Sequence, residues 1–360
     1  MTPTTIRRIE AAPLTIALNE PFGIAGGAQD IANNVLVTVE LADGTRGYGE
    51  AAPFPAFNGE TQLAALDAVA AARPSVEGAD ARAWRALAAA VKTSSGMVGS
   101  ARCAIETAVL DALTKHHGMP LWAFFGGATT VLETDMTITT GGVAQAEAAA
   151  RAILARGIGA IKVKVGGGDV ALDVARVAAI RAVAPGAPLI LDGNAGFSRG
   201  DALRFVAELT ERGIAPHVLE QLVAKDDHAG LLALRRLGVA PVAADESADG
   251  VAAALALCAM GAVDIVNIKL MKCGVAEALD IAAVARAAGV GLMIGGMVES
   301  ILAMSMSACF AAGQGGFGIV DLDTPLFLAE NPFRGGMTYA GGRLDLGGLE
   351  AGHGVVPRSD

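Results

Sequence analysis

The sequence predicts an α/β protein: a (β/α)8, TIM-like barrel carrying an N-terminal α+β capping domain. Three observations predict it. From Thr134 onward, eight short apolar segments alternate with Ala-rich helical stretches, the pattern of parallel strands joined by helices. Charged residues recur evenly at the ends of those segments. Lys164 to Asp192 and Asp192 to Glu220 each span 28 residues, Glu220 to Asp245 spans 25, and Asp245 to Lys269 spans 24. Before residue 118 the texture differs, with strand-like alternation followed by helices. A doubly wound sheet would use the same βα units, but eight regular repeats favour closure into a barrel of roughly 200 residues.

In chain order, "RIEAAPLTIAL" and "VLVTVELADGTRGYGEA" alternate β-branched and polar residues, and "ADGT" marks a hairpin turn. "QLAALDAVAAA", "DARAWRALAAAV" and "SARCAIETAVLDALTKHHG" read as Ala-rich amphipathic helices, the last closed by a glycine before Pro120. The strand segments of the barrel are "TDMTITT", "AIKVKV", "PLILDGN", "HVLEQ", "PVAADES", "VDIVNIKL", "GLMIGG" and "GFGIVDLD". After Asp323 the chain turns β-like and Gly-rich. The expected domains are 1–125 (cap), 126–323 (barrel) and 324–360, a tail that packs back on the cap.

Composition narrows the function. A net charge of −10 argues against non-specific nucleic-acid binding. The most apolar run, "VAAALALCAMGAV", is too short to span a bilayer, and the N-terminus has no basic region followed by an apolar one. The four cysteines follow no metal or disulfide spacing, so a cytoplasmic protein is expected.

The charged strand ends carry the chemistry. Parallel barrel strands end on one face, where active sites are built. Lys162 and Lys164 share a side of their strand, as do Asp321 and Asp323. Asp192, Glu220 and Asp245, supported by Asn194 and Glu246, would form a hard oxygen cage suited to Mg²⁺; the alternative is salt bridges to the lysines alone. Lys164 and Lys269 fall on the second and sixth strands, on opposite sides of a barrel. A lysine acts as a base only if its proton affinity falls, which a neighbouring cation such as Lys162 and a metal both favour. Bases on both faces of a metal-held carboxylate would give 1,1-proton transfer, that is, racemisation or epimerisation.

"IKVKVG", "LILDGN", "LEQ", "ADES" and "VNIKLMKCG" resemble the enolase superfamily, muconate-lactonizing-enzyme subgroup, in order and over nearly the whole chain. The resemblance implies a lysine base and a metal-stabilised enediolate. "GIVDLDTPLF" resembles the dipeptide epimerases, in which two carboxylates hold the substrate's ammonium group. That implies this role for Asp321 and Asp323, and substrate contact for Lys162, Thr137 and Met297. Asp323 as a turn cap and Met297 as a core residue are the alternatives.

The resemblance further implies that the segments 19–34 and 52–60 are lid loops over a small dipeptide substrate. The first has no Lys or Arg, which speaks against Ala-Glu. Phe22 and Ile24 point to a neutral or apolar C-terminal residue; Glu20, Asp30 or Glu60 could instead meet a cationic one. A homo-oligomer with one Mg²⁺ per subunit is expected, without nucleic-acid or membrane partners. N-succinylamino-acid racemase, o-succinylbenzoate synthase, muconate cycloisomerase and a non-catalytic ligand-binding barrel are the rival readings. "KVGGGD" lacks phosphate-loop spacing and reads as a flexible turn.

Overall fold

The computed structural model describes residues 2–96 and 98–358. The chain opens with an antiparallel sheet of β1 (Ile6–Ile24), β2 (Gly27–Leu41) and β3 (Arg46–Ala51), in that spatial order. Asp43 makes the β2–β3 turn by accepting the Thr45 N–H at 2.9 Å, with Gly44 at φ +90. Residues 19–34, expected as a loop, are instead the closed end of the β1–β2 ribbon. Phe22 pairs with Gln29, Gly23 with Ala28 and Ile24 with Gly27. Pro21 falls in the register shift between Ala17 and Phe22, where a missing N–H breaks no ladder.

Three helices follow, Gln62–Val76, Trp84–Ser94 and Gly99–His116; the first and third cover this sheet, and the second packs on both of them. The third differs from the amphipathic helix its sequence suggests. It is buried on all sides from Gly99 to Thr114, because β3 lies against one flank and the barrel and tail against the others. A Cβ at Gly47 or Gly49 of β3 would sit about 2 Å from the Ala108 or Ala104 carbonyl oxygen, so helix and strand meet at glycine distance. Its charged residues are all engaged. Arg102 pairs with Glu277 at 2.8 Å, Asp111 accepts from Lys115 at 2.6 Å, and Glu106 accepts the Ala276 N–H at 2.8 Å.

Eight parallel strands follow: β5 (Met136–Ile138), β6 (Ile161–Lys164), β7 (Leu189–Asp192), β8 (Val218–Glu220), β9 (Val242–Ala244), β10 (Ile265–Ile268), β11 (Gly291–Ile294) and β12 (Phe317–Val320). Each pairs with its sequence neighbour, and the edges meet where the Asp135 N–H donates to the Val320 carbonyl at 3.0 Å. The barrel therefore forms as expected. One residue from each of five strands (Ile190, Val218, Ala243, Met293, Ile319) makes a separate apolar cluster that fills its interior. Asp169, Ser198, Asp227 and Ser300 cap helix N-termini with their side chains.

Cap and barrel join through two buried carboxylates. Glu50, at the end of β3, accepts from the N–H groups of Ser300 (3.0 Å) and Ala303 (3.2 Å) at the start of the barrel helix Ile301–Gln314. Glu106 does the same for the helix Val275–Ala287. In the tail, β13 (Phe333–Gly335) pairs with β16 (Val355–Pro357), and β14 (Thr338–Ala340) with β15 (Arg343–Asp345), which in turn pairs with β4 (Val131–Glu133). His353 contacts the cap, where its Nε2 meets the Tyr48 carbonyl at 2.9 Å and its N–H donates to Asp111 at 3.0 Å. No helix among the described residues is long and apolar enough to cross a membrane.

Burial pushes the Glu106 carboxyl up to about 7 from an ordinary 4.5. Between those values the folded chain keeps a proton that the unfolded chain releases, so stability falls as pH rises from 4.5 to 7. Glu106→Gln should flatten this loss, worth about 3 kcal/mol. Melting temperatures across that range check it; parallel curves for both proteins would refute it.

Candidate active site

The strand ends assemble as one layer. Lys164 on β6, Asp192 on β7 and Glu220 on β8 lie side by side in register. Asp192, Glu220 and Asp245 are fully buried. Lys162 is also fully buried, and its Nζ meets Asp192 Oδ2 at 3.0 Å, Glu220 Oε2 at 2.9 Å and Asp321 Oδ2 at 2.7 Å. Lys164 meets Asp192 at 2.6 Å, and Lys269 meets Asp245 at 2.8 Å. Burial opposes the charge on Lys162 and on Lys269, but the surrounding carboxylates outweigh it and hold both above the usual lysine range. For Lys269 this differs from the lowered proton affinity expected of a base, because its Nζ is the counter-ion of buried Asp245.

The local backbone is shaped for these contacts. Asn194 and Ala195, just after Asp192, and Gln221, just after Glu220, take positive φ, a strained choice for residues other than glycine. The Asn194 N–H reaches Asp192 Oδ1 at 2.9 Å and its side chain reaches Glu246 at 3.2 Å. Gln221 accepts the backbone N–H groups of Asp245 (3.0 Å) and Ser247 (3.1 Å) and so fixes the turn that carries Asp245.

Above this layer lies a cavity between cap and barrel. Lys164, Lys269, Thr137, Met297, Asp321, Asp323 and Asn194 line it from the barrel side. Phe22 and Ile24 of the ribbon, with Phe54 and Phe57 of the segment 52–60, line it from the cap. The Phe57 ring lies 4.5 Å from Lys269 Nζ. Lys162, Asp192, Glu220 and Asp245 are buried and do not line this cavity, and Glu246 lines a neighbouring one with Asn58 and Lys272. Glu20 and Asp30 are exposed and away from the cavity, and Glu60 is bound to the N–H groups of Gly99 and Ser100.

The Asp323 carboxylate does not cap the turn that follows it; its Oδ2 accepts the Thr137 N–H at 2.6 Å. Met297 is both buried and in the cavity wall. Three further residues have no counterpart among the expected ones. Lys272 Nζ binds Asp245 Oδ1 at 2.8 Å, Asn267 donates to Glu220 Oε1 at 2.7 Å, and Asp135 lies beside Asp321 and Asp323. The spacing Asn267-x-Lys269 puts both on one side of a strand, a signal in the sequence that pointed to Asn267.

A capped parallel barrel with buried carboxylates and opposed lysines at the C-terminal ends of its strands is the architecture of an enzyme that handles small carboxylate substrates. Two family descriptions match the chain: "Mandelate racemase / muconate lactonizing enzyme, N-terminal domain" over residues 8–126 and "Enolase C-terminal domain-like" over residues 144–360. The chain belongs to this mandelate racemase/muconate lactonizing enzyme family of the enolase superfamily. It is 54% identical to the aromatic dipeptide epimerase of Herpetosiphon aurantiacus over 353 residues, covering 98% of this chain and 99% of that protein. Its fold is similar to the substrate-liganded L-Ala-D/L-Glu epimerase of Bacillus subtilis, with a TM-score of 0.94, 32% identity and coverage of 98% and 99%. It is also similar to the dipeptide epimerase of Enterococcus faecalis V583 complexed with Mg and L-Leu-L-Tyr, with a TM-score of 0.92, 31% identity and the same coverage.

Proposed function

We propose that the protein is a Mg²⁺-dependent dipeptide epimerase, an isomerase that inverts the carbon α to the C-terminal carboxylate. The observation that carries this reading is the placement of Lys164 and Lys269 four strands apart in an eight-stranded barrel, both lining one cavity. Lys164 takes the α-proton from one face of the substrate and Lys269 returns a proton on the other; the opposite isomer runs in reverse. Asp321 and Asp323, in the same cavity, accept the substrate's ammonium group. Thr137 and Met297 flank it, and Lys162 sets the charge beneath it.

Asp192, Glu220 and Asp245 are the residues we assign to hold Mg²⁺, with Asn194 and Glu246 in support. They are hard oxygen donors, and Glu220 Oε2 and Asp245 Oδ2 each face only a lysine Nζ, at 2.9 and 2.8 Å, without an aligned hydrogen bond, while Glu246 Oε2 beside them has no partner. The neighbourhood is also short of positive charge. Burial raises the Glu220 carboxyl to about 7 and that of Glu246 to about 8. When bound, the metal stabilises the negative charge that develops on the substrate carboxylate. Mg²⁺ is expected to raise the melting temperature, and chelation to abolish turnover reversibly. Unchanged melting with Mg²⁺ would count against these ligands.

Among the described residues, the cap presents Phe22, Ile24, Phe54 and Phe57 to the cavity and no charged side chain, which supports dipeptides with an apolar or aromatic C-terminal residue. The aromatic preference named for the Herpetosiphon relative agrees with it. We assign residues 1–125 as the cap, 126–323 as the barrel and 324–360 as the returning tail, in a cytoplasmic homo-oligomer. A panel of dipeptides followed for α-deuterium exchange in D₂O tests the reading. Exchange should be fastest with aromatic or branched C-terminal residues; best turnover on Ala-Glu, or none on any dipeptide, would overturn it.

A further inference from the structure

Asp135 is 2% exposed, and neither oxygen of its carboxyl has a hydrogen-bond partner. Its backbone is fixed at the barrel seam, with the N–H on the Val320 carbonyl at 3.0 Å and the C=O accepting from Thr134 Oγ1 at 3.1 Å. It lies just before the strand that carries Thr137 and, unlike Thr137, does not reach the cavity wall. There its carboxyl meets those of Asp321 and Asp323, with one oxygen from each lying within 4.8 Å of the others.

Among the described residues, the only ammonium group bound within this trio is that of Lys162 on Asp321, and Lys162 is divided among Asp321, Asp192 and Glu220. Asp323 Oδ2 has the Thr137 N–H, and Asp323 Oδ1 has no partner. The nearby Tyr339 hydroxyl is engaged with the Leu322 carbonyl at 2.6 Å. Three buried carboxylates at this separation cannot all stay ionised. Asp135 is farthest from the cavity, and burial, followed by the charges of Asp321 and Asp323, pushes its carboxyl well above the usual range.

We propose that Asp135 is a positioning residue of the ammonium subsite: its carboxyl shares one proton with Asp321 and Asp323, and so fixes where those two carboxylates aim and how much charge they present. This rests on the dipeptide reading above and adds a buried third member to the pair that meets the ligand. A trio holding one proton presents two negative charges. That suits an incoming ammonium group and disfavours a neutral, acylated amine.

Two measurements test it, and only the second depends on the substrate. In difference infrared spectra of the full-length protein at neutral pH, wild type minus Asp135→Asn should show the C=O stretch of a protonated carboxylic acid. Its absence, or its loss on saturation with Mg²⁺ (which would put a cation among the three carboxylates), overturns the proposal whatever the enzyme acts on. In steady-state kinetics with an aromatic dipeptide, Asp135→Ala should raise KM about 10-fold or more, with kcat within about threefold. Asp135→Asn, which keeps a donor toward Asp321, should recover most of that loss, and the preference for the free over the N-acetylated dipeptide should follow KM. An unchanged KM in Asp135→Ala, or a KM in Asp135→Asn as high as in Asp135→Ala, overturns it. If Asp135→Ala folds poorly, the infrared band and the KM of Asp135→Asn decide. If wild type turns over no dipeptide, the functional reading has failed, and the infrared band still judges Asp135.

Discussion

Replacing Lys269 with alanine is expected to abolish epimerisation, by at least about 10³-fold, while leaving the fold and the metal site in place. Lys269 is 3% exposed, and its Nζ is held between Asp245 at 2.8 Å and the Phe57 ring. Its loss removes one of two bases. Lys164 still faces the substrate from β6, so α-proton exchange should survive from one C-terminal configuration and vanish from the other. Lys164→Ala should show the mirror result. The assay is proton NMR of each pure diastereomer in D₂O. Exchange surviving from both configurations in either variant would rule out opposed bases, and loss of both in each would point to a shared structural role.

Asp323→Asn should raise KM for free dipeptides about 10- to 100-fold, with a smaller change in kcat. The carboxylate lies in the cavity wall, its Oδ2 held by the Thr137 N–H and its Oδ1 free of any donor. Burial and the neighbouring Asp321 charge raise the Asp323 carboxyl to about 7, the cost of a negative group kept without a counter-ion. An asparagine keeps the contact with Thr137 through its amide oxygen, so the fold should be preserved while the charge is lost. An enzyme that works on N-succinylated amino acids or makes o-succinylbenzoate has no ammonium group to bind, and would be nearly indifferent to the change. Calorimetric titration with a dipeptide, beside the kinetics, separates the two.

How much of this was legible in the sequence follows from how far apart the cooperating residues lie. The barrel and its charged strand ends were readable because charge at the end of an apolar run contrasts with the run itself. The regular spacing then stacks Lys164, Asp192 and Glu220 in register. Asp135 was not readable, because its meaning arises only where the first and last strands meet and its partners stand 186 and 188 residues away. Glu50 and Glu106 were hidden for a similar reason, since an isolated carboxylate in a cap element gives no hint that it will meet the start of a barrel helix. The resemblance implied a lid loop at residues 19–34. The structure closes it instead as a paired ribbon, with Phe22 on Gln29, Gly23 on Ala28 and Ile24 on Gly27.

That ribbon constrains how selectivity can change in this lineage. Phe22 and Ile24 stand two residues apart on the inward side, with Gly23 between them so close to Thr140 that a Cβ there would collide with its hydroxyl. A flexible loop could lengthen or shorten and still find a new shape around a different side chain. A paired ribbon has fewer ways to do so, because a residue inserted between paired positions turns the inward positions out to water and the outward ones in, unless a bulge such as that between Ala17 and Phe22 absorbs it. Where the pairing from Phe22 to Ile24 is kept, selectivity changes by exchanging side chains at fixed addresses. A small library at positions 22 and 24, with Phe54 and Phe57 held fixed, would sample the side chains that the ribbon presents to the cavity.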